Sequence, residues 1–257
     1  MIPYGRQHIS DDDIAAVIQT LTSDYLTQGP KIAEFEQAFA NYIGCKYAVA
    51  VSNGTAALHL ATMALGVSAN QKVISTPITF AASTNSVHYC GGSVLFADID
   101  AQSFLIDANK VEDFCKTEKN IAGIIPVDFA GYAVNLEDLR TIANKYGLWI
   151  IEDACHAPGA YFTDSKGIHQ KCGNGNFADI GIFSFHPVKH IATGEGGMIT
   201  TNDKKIYDKL CLLRTHGITR DPEIMTENHG PWYYQMHELG YNYRITDFQC
   251  ALGLSQL

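Results

Sequence analysis

The sequence predicts an α/β fold, a mainly parallel mixed β-sheet between layers of helices. Seven short apolar runs read as strands, and helical periodicity fills most of the intervals between them. That pattern belongs to a parallel sheet covered on both faces. The 257 residues are 46% hydrophobic and 18% charged, a globular composition with enough chain for one large domain or two smaller ones.

The first helix is predicted over residues 11–22, with Ser10 as its N-cap and Ile14, Val17, Ile18 and Leu21 on one apolar face. A second helix is predicted over residues 32–42, then a buried strand over 47–52. The turn Asn53-Gly54-Thr55 leads into a helix over 56–65. Further strands are expected at 72–75, 93–97, 121–127, 149–153, 180–183 and 198–201, with helices at 80–89, 107–117, 136–146 and 204–214. Residues 221–234, with two prolines and glycine-flanked turns, read as a loop. Residues 245–257 read as an amphipathic helix that stops without a cap.

Charge and cysteine usage exclude several classes. Lys and Arg number 18 against 27 Asp and Glu, so the formal charge is 18 − 27 = −9, and no basic run offers a nucleic-acid surface. An anionic ligand therefore needs a local site. The N-terminus lacks the apolar core of a signal peptide, and no stretch reaches membrane-spanning length. Seven scattered cysteines without a CxxC fit reduced thiols in a cytoplasmic protein. A zinc site from Cys155, His156, His169 and Cys172 matches no structural zinc spacing and is set aside.

Ligands on such sheets bind beyond the carboxyl ends of the strands, which places Ser52-Asn53-Gly54-Thr55, Asp153 and Ser184 along one edge. In Ser52-Asn53-Gly54-Thr55-Ala56, small residues at a helix N-terminus let backbone N–H groups approach an anion; an ordinary capped turn explains the same residues. Glu152-Asp153 ends an apolar strand. It reads either as a cap or surface pair, or as an anionic partner for a heteroaromatic nitrogen. Lys189, in Ser184-Phe185-His186-Pro187-Val188-Lys189-His190, is a surface charge or a desolvated amine able to attack an aldehyde. Phe80 is core or a flat platform for an aromatic ring. His186 and His190 default to structural histidines.

Together, Ser23-Asp24-Tyr25-Leu26-Thr27-Gln28-Gly29-Pro30, Ser52-Asn53-Gly54-Thr55-Ala56-Ala57-Leu58, Glu152-Asp153-Ala154-Cys155-His156, Ser184-Phe185-His186-Pro187-Val188-Lys189 and Leu239-Gly240-Tyr241-Asn242-Tyr243-Arg244 resemble the DegT/DnrJ/EryC1/StrS family of pyridoxal-phosphate sugar aminotransferases. The resemblance covers the whole chain. It implies the fold type I of PLP-dependent aminotransferases. Residues 1–240 would form the cofactor-binding large domain with an N-terminal helical segment. Residues 241–257 would begin the helix leading to a small C-terminal domain, most of which is missing, so a fragment of a longer enzyme is expected.

The same resemblance makes Lys189 the Schiff-base lysine and proton shuttle and Asp153 the partner of the pyridine nitrogen. It sets His156 near the ring or its phenolic oxygen, stacks Phe80 on the ring, and assigns Gly54, Thr55, Ala56 and Ser184 to a phosphate cup. Asn242 would reach a neighbouring subunit's site, implying a homodimer with shared sites; Gly54, Ser184 and Asn242 would also border the substrate. Tyr4, Asp24, Tyr25, Leu26 and Thr27 would contact a sugar nucleotide.

The implied reaction is amino transfer from L-glutamate to a UDP-linked 4-keto-6-deoxy hexose, in the branch of the family that serves pseudaminic acid and surface-glycan biosynthesis. A dTDP- or GDP-linked 4-keto or 3-keto sugar is the alternative substrate. Dehydratase relatives carry histidine in place of the lysine, and Lys189 argues against that reaction. A non-catalytic regulatory protein on the same scaffold is the remaining alternative.

Overall fold

The structure, a computed structural model, describes residues 5–257. The apolar runs form β1 (Tyr47–Val51), β2 (Lys72–Ser75), β3 (Ser93–Phe96), β4 (Ile121–Ile125) and β5 (Trp149–Asp153). A short hairpin follows, β6 (Tyr161–Thr163) and β7 (His169–Lys171), before β8 (Ile180–Ser184) and β9 (Gly197–Thr201). A two-residue pair, β10 (Ile218–Thr219) with β11 (Gln235–Met236), brackets the loop expected over 221–234. These two small pairs were absent from the sequence-based expectation because strands of two or three residues carry no readable alternation.

The seven-stranded sheet has the order β1-β9-β8-β5-β4-β2-β3. Strands β3, β2, β4, β5 and β8 pair in parallel, and β9 runs antiparallel to both β8 and β1. Hence β1 shares the majority direction and β9 alone opposes it. The carboxyl ends of six strands therefore meet at one edge, joined there by the N-terminus of β9.

The described residues form eight α-helices about the sheet: α1 (Asp11–Leu21), which packs on α8, α2 (Pro30–Ile43), α3 (Gly54–Ala64), α4 (Ala81–Tyr89), α5 (Ala108–Thr117), α6 (Leu136–Tyr146), α7 (Lys204–Arg214) and α8 (Asp247–Gln256). The two-residue period of the strands divides the core between them. Val49, Val51, Val73, Ile125, Ile151, Ile182 and Ile199 pack with α3, α4 and α7. Their sequence neighbours turn the other way. Ala48, Ala50, Phe183 and Met198 meet α2 and α8, and Ile74, Ile124 and Ile150 meet α5 and α6. Each fully buried large apolar side chain is worth about 1.5–3 kcal/mol, more than the ~1 kcal/mol span of strand propensity, so burial on both faces sets the register.

Helix α1 forms where it was expected, but its apolar face is not the one it buries. Its capping box forms between Ser10 and Asp13, but the residues it buries are Asp13 and Thr20. Ile14, Ile18 and Leu21 stay about half exposed (48%, 55% and 52%). The helix is turned by polar contacts with α8, whose Gln256 donates to His8 O (3.1 Å) and Asp13 Oδ2 (3.3 Å).

The start of α8 performs a similar service for α2. Gly29, the N-cap of α2, offers no side-chain acceptor. Asp247, fully buried, substitutes by accepting from Gly29 N–H (2.8 Å) and Lys31 N–H (3.1 Å). Replacing Asp247 with Ala should cost about 1–3 kcal/mol, and Asp247→Asn, which keeps one acceptor oxygen, should cost less. Denaturant melts measure this; an unchanged midpoint for the Ala variant would contradict the assigned capping role.

Candidate active site

The turn after β1 sets the first wall of the site. Asn53, in extended backbone, caps α3 by accepting Ala56 N–H at Oδ1 (2.8 Å). That contact occupies the Ala56 amide, so the N–H groups left without a partner among the described residues are those of Gly54 and Thr55. They point from a helix N-terminus, where the aligned backbone dipoles favour an anion. A Cβ on Gly54 would stand 3.0 Å from Ser184 Cβ and 3.3 Å from Ser184 Oγ, so the absence of a side chain brings the turn against the end of β8. Gly197 at the start of β9 makes the same allowance beneath, since a Cβ there would stand 2.6 Å from the Asn53 carbonyl.

Asp153 ends β5 on the face toward α4 and is 5% exposed, which removes the surface-pair reading of Glu152-Asp153. Its Oδ2 accepts from Ser83 Oγ (2.7 Å) and its Oδ1 from Cys155 N–H (3.3 Å). Ser83 is itself fully buried and lies 2.7 Å from Thr79 Oγ1, so a chain of hydroxyls at the entry to α4 orients the carboxylate. Phe80, the residue before α4, is 75% exposed at the same edge. The core reading of Phe80 is thereby overturned.

Lys189 rides on the connection between the antiparallel strands β8 and β9. Phe185 N–H donates to Gly196 O, Thr193 N–H to Phe185 O, and Lys189 N–H to His186 O, closing the loop around a half-buried lysine. Helix α8 steadies that loop: Ala192 N–H donates to Gln256 Oε1 (2.8 Å) and Gln249 Nε2 donates to Glu195 O (2.8 Å). Across from the lysine, His156 Nδ1 accepts from Ala130 N–H (3.3 Å), which leaves the imidazole proton on Nε2. Burial first, then the charges of Lys189 and His190, hold His156 below the usual histidine range against the opposing pull of Asp153. Burial and Asp153 also push the Cys155 thiol well up, so it stays protonated.

The structure thus gathers Gly54, Thr55, Phe80, Asp153, His156, Ser184 and Lys189 at one edge, with Ala56 present but its amide engaged by the cap. It does not draw in the 24–27 segment. Asp24, Tyr25, Leu26 and Thr27 are exposed beside α8, where Thr27 bridges to Thr246 and Leu26 O accepts from Asp247 N–H. Asn242 is exposed and bridges to Thr215, while the neighbouring Tyr243 O accepts from Ser52 N–H just before the turn. Tyr4 lies outside the described residues. The cysteines and histidines of the discarded zinc pattern do not converge, His169 pairing with Thr163 on the hairpin.

Sequence reasoning missed Ser83, Thr79 and Ala130. Helical spacing does not announce the first two, because Thr79 precedes the extended N-cap Phe80 while Ser83 faces inward from the first turn of α4. Ala130 contributes only its backbone, at a positive φ of 55°, and residue type announces nothing there.

A family model for the DegT/DnrJ/EryC1/StrS aminotransferases matches residues 7–257. The chain belongs to this family. The UDP-4-amino-4,6-dideoxy-N-acetyl-beta-L-altrosamine transaminase of Campylobacter jejuni is 42% identical over 258 residues, covering 100% of this chain and 64% of the relative. The solved structure of PseC from Helicobacter pylori, an aminotransferase involved in the biosynthesis of pseudoaminic acid, superposes with a TM-score of 0.88 at 30% identity, over 99% of this chain and 64% of that one. NtdA from Bacillus subtilis, solved with bound cofactor PMP, gives a TM-score of 0.80 at 29% identity, over 96% of this chain and 53% of its own. The chain thus spans 64% of the length of the curated transaminase it matches. The fold is that of the PLP-dependent aminotransferases.

The residues present fit the family's cofactor, pyridoxal 5′-phosphate. Free amides and a side-chain-free turn at Gly54 suit a phosphate, buried Asp153 suits a pyridinium nitrogen, and exposed Phe80 offers a ring face. Ser83→Ala should weaken pyridoxal phosphate binding by roughly tenfold, the worth of one buried charge-assisted hydrogen bond, while shifting the melting temperature of the cofactor-free protein little. Equal affinities for the two proteins, measured by absorbance titration, would remove Ser83 from the positioning of Asp153.

Proposed function

We propose that this protein holds pyridoxal 5′-phosphate at the carboxyl edge of its sheet and transfers an amino group from L-glutamate to a UDP-linked 4-keto-6-deoxy hexose, in pseudaminic acid or related surface-glycan biosynthesis. One observation carries the reading. A half-buried lysine, a buried carboxylate and an anion-ready helix N-terminus converge where six strand ends meet. The sugar is argued from the Campylobacter and Helicobacter relatives, and the general class, amino transfer onto a nucleotide sugar, from the family.

The bound cofactor supplies an electron sink conjugated with the reacting carbon. The chain's own residues do the rest. Asp153 holds the pyridine nitrogen protonated, fixed in direction by Ser83. Gly54, Thr55 and Ser184 bind the phosphate, and Phe80 supports one ring face. Lys189 would anchor the cofactor through its amine and would serve as the proton shuttle of the transfer. His156, neutral with its proton on Nε2, can donate to the ring's phenolic oxygen.

A second copy of the chain completes the proposal. Asn242 is exposed at the base of an arm that also exposes Trp232, Met236 and Leu239, a surface suited to a homodimer whose partner receives Asn242. The exposed segment of Asp24, Tyr25, Leu26 and Thr27, with Tyr4, is assigned to the sugar nucleotide. Seven free thiols fit work in the cytoplasm, and among the described residues no helix is long and apolar enough to cross a membrane.

Protein given pyridoxal phosphate should show the visible absorbance of a lysine-bound cofactor, and borohydride should fix the adduct on Lys189, read by peptide mass. Lys189→Ala should lose both the adduct and all transamination. Absence of an adduct in folded protein would leave the regulatory reading standing. In steady-state assays, a ping-pong pattern with L-glutamate and the UDP-linked 4-keto sugar is expected. A higher kcat/KM for a dTDP- or GDP-linked sugar would overturn the substrate while keeping the chemistry.

A further inference from the structure

On the opposite face of β5 from Asp153 lie three interior groups that the proposed transamination does not use. Asp128, Glu152 and Cys172 are 0%, 2% and 1% exposed, and their polar atoms lie within 4.8 Å of one another. Asp128 Oδ1 accepts from Val134 N–H (2.8 Å) and Glu152 Oε2 from Gly173 N–H (2.7 Å). The two remaining oxygens, Asp128 Oδ2 and Glu152 Oε1, have no hydrogen-bond partner. Two charged carboxylates this close would repel strongly in the interior, in addition to the cost of burying either one. A single proton between the orphaned oxygens removes the repulsion and satisfies both atoms.

We propose that Glu152 keeps its proton and donates it to Asp128 Oδ2, and that this buried acid pair positions the loop that orients His156. The geometry makes the link. Asp128 N–H donates to Asp153 O (3.0 Å), and Asp128 O accepts from Gly131 N–H (3.2 Å). That short turn carries Ala130, whose N–H meets His156 Nδ1. On the other side Glu152 holds Gly173, whose carbonyl accepts from Thr200 Oγ1 (2.7 Å) on β9. One shared proton therefore ties the exit of β4, the end of β5 and the end of the β6–β7 hairpin beneath the site.

Burial, then the charge of Asp128, lifts Glu152 well above the usual carboxylate range, and burial lifts Asp128 to about 7. The proton therefore resides on Glu152. The other titratable groups beside the pair are the Asp153 carboxylate and the thiols of Cys155 and Cys172, which burial keeps protonated; β4 and β8, which flank β5, contribute only apolar residues, glycine and Ser184. Both acids are raised above their unfolded values, so the pair's stabilisation is full in acid. As pH rises through about 7 Asp128 gives up its proton and its share of that stabilisation, which leaves the single proton shared from Glu152; the shared proton itself is lost only when Glu152 ionises.

In the infrared spectrum of the cofactor-free protein at neutral pH, a protonated-carboxyl C=O stretch should appear and should vanish in Glu152→Gln. The introduced amide donates to Asp128 and accepts from Gly173 whatever the pH, so the melting temperature of Glu152→Gln should fall less than wild type as pH rises into the alkaline range. Glu152→Ala should weaken pyridoxal phosphate binding about tenfold, with Glu152→Gln restoring it. Should the Ala variant fail to fold, the wild-type and Gln comparisons still decide. A carboxyl band untouched by Glu152→Gln, or superimposable melting–pH curves, overturns the proposal. So does stoichiometric zinc binding that Glu152→Gln abolishes, which would make the trio a metal site. The cofactor arm rests on the proposed function, whereas the infrared and melting arms need no cofactor and survive its failure.

Discussion

The site depends on the two-residue period of a strand buried on both faces. At the end of β5, Ile151 and Asp153 point toward α4, while Ile150 and Glu152 point toward the opposite layer. Two adjacent carboxyl groups thereby enter two separate environments. Asp153 meets a hydroxyl chain at an open edge; Glu152 meets another acid in the interior. A shift of one residue in the register would exchange them and dismantle both arrangements.

Rigidity around this strand comes from parts that touch no reacting atom. Helix α8 holds the lysine loop through Gln249 and Gln256 and caps α2 through Asp247. The loop after β4 holds His156 by a backbone N–H, with Asp128 at its root. Such contacts keep reactive groups within the narrow tolerance that proton transfer needs, so single losses are expected to weaken cofactor binding before they unfold the chain.

Charge placement follows the same logic. The chain carries a net −9, which repels phosphates at long range, yet the Gly54–Thr55 turn presents two free amides at a helix terminus. Local dipoles act over a few ångströms where bulk charge is screened, so an acidic protein retains a phosphate-ready edge. The neutral state of His156 is likewise a product of position: burial and the nearby Lys189 outweigh the attraction of Asp153.

Sequence by itself determined the α/β class, the seven strands of the sheet, and the edge where Gly54, Asp153 and Ser184 meet. Those follow from periodicity and strand-end position, which are local properties of the chain. Resemblance of several ordered motifs added the family and its cofactor. Only the tertiary structure decided that α1 turns Asp13 inward and Ile14 outward, because the deciding contact is Gln256, some 240 residues away. It alone exposed Phe80, supplied Ser83 to Asp153 and set Glu152 against Asp128. Each of these turns on which face or loop meets which partner, and that information is non-local.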